Sequence, residues 1–136
     1  MDYEEIFNTS YWRVFGSVTG DTPFAETAYG QFMRHPEIAA KFAKGDPGKP
    51  MEMLRLSVTL AASYYFNRHP EHLLAKFATL HNHSHLGIEP QLYRLWLESV
   101  LLAVQEHDPA CDANVLEAWR RILTPAVEFM QAQFDA

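Results

Sequence analysis

Apolar residues recur at three- and four-residue steps along almost the whole chain, and nowhere does a sustained apolar–polar alternation mark a half-buried strand. The pattern predicts an all-α fold. Thr9 or Ser10 is placed to cap a first helix carrying Tyr11, Trp12, Val14, Phe15 and Val18, which Gly20 and Asp21 end. A second helix runs from about Thr22, with Pro23 in its first turn, to about Arg34, and buries Phe24, Ala28 and Phe32. His35-Pro36 breaks it, because a residue before proline is pushed out of the helical region, and Pro36 can open a short turn through Glu37 to Phe42.

Ala43 to Pro50 reads as a loop with two glycines and two prolines, Pro50 standing in the first turn of the next helix. That helix, from Met51 to about Asn67, has Leu54, Val58, Ala61, Ala62 and Tyr65 on one stripe and Met53, Leu56, Leu60 and Tyr64 on another, so it should be central. After Arg68-His-Pro70, a helix from Glu71 carries Leu73, Leu74, Phe77 and Leu80 toward three histidines, His81, His83 and His85. A turn through Gly87 and Pro90 leads into a long helix from Gln91 to about His107, ended by Asp108-Pro109. The last helix spans Asn114 to Phe134 and should bend at Pro125. Trp96 and Trp119 fall on apolar stripes and read as core.

Length and composition narrow the class. At 136 residues the chain is expected to form one domain over 1–136. Its 48% hydrophobic and 13% aromatic content supplies more bulky side chains than a plain bundle core requires, which suits a chain that lines a cavity. A net charge of −6 without a Lys/Arg cluster argues against nucleic acid or an anionic membrane as partner. Cys111 is the only cysteine, so an intramolecular disulfide, a cysteine-rich zinc site and a one-chain iron–sulfur cluster are excluded. The acidic start, Met1-Asp-Tyr-Glu-Glu, is unlike a signal peptide and no apolar run approaches a membrane span, so a reducing cytoplasm is the expected compartment.

The candidate chemistry lies in the histidines. His81 follows Phe77 by four residues and Leu74 by seven, so it continues the apolar stripe inward. His83 follows Lys76, Thr79 and Leu80, a more polar face, and His85 falls at the helix end. An isolated histidine on such a stripe is commonly a core residue bonded to a carbonyl. His81 and His85 also share a face at a spacing that zinc can use, although His83 points nearly opposite and no carboxylate of that helix joins them.

The run Tyr29-Gly-Gln-Phe32-Met-Arg-His-Pro36-Glu-Ile-Ala-Ala-Lys-Phe42 adds a second feature, and with it the chain resembles the globins. Globins turn at a proline after their second helix and place a phenylalanine six residues later, as Pro36 and Phe42 stand here. The central apolar helix, the histidine-ended helix and Ile88-Glu-Pro90-Gln-Leu-Tyr93 follow in globin order, and Ala118 to Met130 is similar to the last helix of bacterial single-domain, flavohaemoglobin-like globins. No one motif is specific; their order over nearly the whole chain carries the resemblance.

The resemblance implies a globin fold of about seven to eight helices around haem b, with His81 as the proximal iron ligand. Counting back five residues from Ile88 reaches His83 instead; helix phase favours His81, since a loop absorbs two residues at small cost. Phe42 would pack on the haem, Leu54 and Val58 would cover it as apolar wall, and Phe77, Ile88 and Tyr93 would complete the proximal side. The distal donor position falls at Ala28 by strict counting, or at Tyr29 if the corner is one residue shorter; Tyr29 can donate to a bound gas and is preferred. The usual distal histidine or glutamine position aligns with Pro50 or Met51, which have no side-chain donor. No glutamate of the last helix aligns to complete a peroxidase-type network with Tyr93.

The expected function is reversible binding of a diatomic gas, oxygen or possibly NO or CO, as in oxygen transport. An NO dioxygenase is the enzymatic alternative and would need a separate reductase, because the chain has no room for flavin and nicotinamide domains. A haem-free helical sensor or metal-binding module is the third class. A monomer or homodimer suits any of them.

Overall fold

The computed structural model describes residues 2–16, 23–42, 48–67 and 90–132, of which 41, 42 and 48–55 are described by backbone alone. Among these residues there are six helices and no strand, in keeping with the periodicity. They are α1 (Tyr3–Phe15), α2 (Pro23–Phe32), α3 (Pro36–Phe42), α4 (Gly48–Asn67), α5 (Pro90–His107) and α6 (Ala113–Ala132). The histidine segment and its flanks, with Phe77, His81, His83, His85 and Ile88, lie outside the described residues.

α1 begins seven to eight residues earlier than its hydrophobic run suggests. Asp2 is its N-cap, its side chain accepting from the Glu5 amide at 3.1 Å, and Glu4 and Glu5 in the first turn suit the positive end of the helix dipole. Thr9 and Ser10 are therefore inside the helix, not at its start. The signal was present in the spacing: Ser10 lies three residues after Phe7 and four before Val14, and all three are buried. The helix stops at Gly16, whose φ of 55° is a left-handed conformation that favours glycine; its amide donates to the Trp12 carbonyl at 2.9 Å.

The His35-Pro36 corner forms as expected, and Arg68-His-Pro70 lies outside the described residues. Beyond α2 the chain tightens into three-residue bonds, from the Arg34 amide to the Gln31 carbonyl at 3.2 Å and from the His35 amide to the Phe32 carbonyl at 3.3 Å, before Pro36 opens α3. α4 starts at Gly48, three residues before the expected Met51, with Pro50 still in the first turn, where a missing amide costs nothing. One stripe of α4 is core, with Val58, Ala61 and Ala62 buried; the other is open, Leu56 being 44% exposed and Leu60 and Tyr64 half-buried. The helix is thus less central than its composition suggests.

Asp108-Pro109 ends α5, and Asp112 caps α6 by accepting from the Val115 amide at 2.9 Å. α6 runs on through Pro125, so the Arg121 carbonyl has no amide donor four residues ahead. α6 packs against α1, α4 and α5, and α2 packs against α4 and α5. Trp119 is fully buried at the centre, its ring centroid 4.7 Å from Phe7 in an edge-on arrangement and 5.9 Å from Phe24. Among the described residues no helix is long and apolar enough to cross a membrane.

Candidate functional site

The sequence pattern nominates α2, α3, α4 and α5 as carriers of site residues, and α2 adjoins both α4 and α5. Tyr29 is half-buried on α2, beside the buried Ala28, which has no polar side-chain atom to offer. Val58 is fully buried on α4, and Tyr93 is half-buried on α5 against the core. Burial pushes the Tyr93 phenol well above its ordinary pKa, so it remains a neutral hydroxyl able to donate. Phe42 closes α3, and Pro50, Met51 and Leu54 lie in the first two turns of α4, all four described by backbone only. Phe77, His81 and Ile88 lie outside the described residues, as does the alternative ligand His83.

Three polar links tie these helices and their neighbours together, and none is evident from the sequence. The first is a buried node. Asp108, whose side chain is 0% exposed, accepts from Ser10 Oγ at 2.6 Å, from Arg13 Nε at 2.6 Å and Nη2 at 2.8 Å, and from the Ala110 amide at 2.9 Å. Ser10 Oγ in turn accepts from Trp119 Nε1 at 2.8 Å. One carboxylate therefore joins α1, the α5–α6 turn and α6. Burial by itself would raise the Asp108 pKa, but the Arg13 guanidinium, the Ser10 hydroxyl and the Ala110 amide outweigh it and hold the group below the usual carboxylate value.

The sign of this shift sets a pH dependence. A carboxylate whose folded pKa lies below its unfolded one contributes its full stability above the unfolded value, near 4, and loses it as the pH falls through the folded value. Urea unfolding in pH steps from about 5 downward is expected to show stability falling with acid, and Asp108→Asn should flatten that fall by up to one proton. An unchanged slope in the variant would show that Asp108 is not the titrating group.

The second link ties α2 to the end of α5, Thr27 Oγ1 lying 2.6 Å from His107 Nε2. A third contact, Tyr11 Oη to Thr59 Oγ1 at 2.9 Å, joins α1 to α4. Cys111 is not set up as a nucleophile, since burial and the nearby Asp108 and Asp112 carboxylates raise its thiol pKa. Among the described residues no group of three or more His, Cys, Asp or Glu side chains could hold a metal ion.

No protein-family model matches the chain, and no curated protein sequence matches it. In three dimensions it is similar to the crystal structure of a protein from Pseudomonas aeruginosa PAO1 that is described as structurally highly homologous to a human hemoglobin. The two share 31% sequence identity over 98% of each chain, with a TM-score of 0.87.

Proposed function

Because the chain belongs to the globin family, we propose that it binds haem b and holds a diatomic gas on the face opposite a proximal histidine. The observation that carries this reading is the near full-length likeness, in fold and sequence, to a haemoglobin-like protein. The residues available suit an iron porphyrin: Val58 is apolar and sealed from water, Tyr29 and Tyr93 are half-buried phenols, and the sequence supplies imidazoles at 81, 83 and 85. When bound, the haem iron supplies an open coordination position for oxygen, NO or CO.

The chain's own residues have separate tasks in this reading. His81 would hold the iron through one ring nitrogen, leaving the other N–H to be oriented by a carbonyl or carboxylate. The Tyr29 hydroxyl would donate to the gas, which favours oxygen, with its partial negative charge, over CO. Leu54 and Val58 would exclude water from the gas, and Phe42, Phe77 and Ile88 would pack against the macrocycle. The Tyr93 phenol, kept neutral by burial, would donate on the proximal side without adding charge. Flavohaemoglobin-like single-domain character and a reducing cytoplasm fit this reading.

Haemin-loaded protein, reduced and exposed in turn to CO and oxygen, tests the function. Reversible spectral change with both gases is expected. Loss of oxygen ligation with rapid, irreversible oxidation would argue against reversible carriage.

A further inference from the structure

We infer that Thr27 and His107 together position Tyr29, so that a hydrogen bond midway along α2 sets how firmly the distal hydroxyl grips a bound gas. This rests on the reading of Tyr29 as the gas-facing donor, and extends it to two residues that touch neither haem nor gas.

The need for such a device follows from how α2 is packed. The helix has ten residues, and of its buried side chains Ala25 and Ala28 are single methyl groups with no rotamer to lock into a neighbour. Phe24 anchors the first turn, its ring centroid 4.9 Å from Phe15. Apolar burial is non-directional, so methyl contacts such as these fix the rotation of the helix about its own axis less tightly than a hydrogen bond can. A hydrogen bond is directional, and Thr27 Oγ1 to His107 Nε2 at 2.6 Å supplies one on the same turn as Tyr29.

Small rotations matter here. A tyrosine hydroxyl stands roughly 8 Å from the axis of its helix, so a rotation of about 10° carries it ~1.4 Å, more than a hydrogen bond tolerates. The partner side is fixed: His107 is the last residue of α5, and Asp108 next to it is bound into α1 through Ser10 and Arg13. The link holds with either histidine tautomer, since a threonine hydroxyl can both donate and accept. Thr27 is thus tied to a residue that borders the buried Asp108 node, and it lies two residues from Tyr29 on the same helix.

The test uses Tyr29→Phe, Thr27→Val and Thr27→Ser in haemin-loaded protein, together with amide exchange in the haem-free chain. Tyr29→Phe is expected to speed oxygen release about tenfold or more. Thr27→Val should speed it about three- to tenfold while CO release stays within about twofold, and Thr27→Ser should restore the parent rate. In haem-free protein Thr27→Val should accelerate exchange of the α2 amides and leave those of α6 unchanged. A Thr27→Val protein that releases oxygen at the parent rate, while Tyr29→Phe releases it faster, overturns the positioning role alone. Unchanged oxygen release in Tyr29→Phe overturns the distal reading of Tyr29 and the inference with it.

Discussion

Asp108→Ala is expected to cost about 3–5 kcal/mol of folding stability, enough to lower the thermal midpoint by roughly 10–20 °C. The carboxylate is fully buried and accepts four donor contacts, three from α1 and one from the turn between α5 and α6. Arg13 loses least by its removal, because its side chain is 30% exposed and can turn to water. The cost falls on Ser10, whose buried hydroxyl keeps Trp119 Nε1 as its donor but loses its own acceptor. It falls also on the Ala110 amide in the turn that joins α5 to α6. Adding Ser10→Ala to Asp108→Ala should therefore cost less than the sum of the single changes, since the orphaned hydroxyl goes too. A loss below about 1 kcal/mol for Asp108→Ala in urea unfolding would show that the node is a spectator.

His81→Ala is expected to weaken haem binding by more than about 100-fold, whereas His83→Ala leaves it within a few-fold of the parent, since loss of a direct ligand should exceed the 10- to 100-fold typical of its supporting partners. The reason is helix phase. Phe77 and His81 stand four residues apart on the apolar stripe that Leu73 and Leu74 begin, and an iron ligand must project from the face that meets the porphyrin. Haemin titration of both variants, followed in the Soret region, separates the candidates. Retention of haem by His81→Ala with loss in His83→Ala would assign the ligand to His83 and place the register shift in the turn before Ile88.

The helices were legible because each carries its own periodic apolar face and four of the six described ones have a proline in their first turn. The Pro36 and Pro90 helix starts and the Asp108-Pro109 stop follow from chemistry local to a few residues. The start of α1 was not, because its densest apolar run, from Tyr11 to Phe15, begins nine residues after the capping aspartate. Ser10 illustrates the same difficulty: a serine near an apolar run looks like a cap, and only its partner Asp108, 98 residues away, makes it a buried structural group. Periodicity also overstated the burial of α4, since it ranks faces and cannot say which neighbours arrive to cover Leu56. For the candidate site residues, helix periodicity ranks burial and no more. Val58 is buried and Tyr29 and Tyr93 are half-buried, while the Thr27–His107 link pairs residues 80 apart and leaves no trace in either segment.

The most direct test of globin-type haem binding is a titration of the purified parent chain with haemin, read by absorbance. Saturation at one haem per chain, with a sharpened Soret band that shifts on reduction and again on adding CO, is the expected result. A featureless, unsaturable rise no different from haemin in buffer would contradict it.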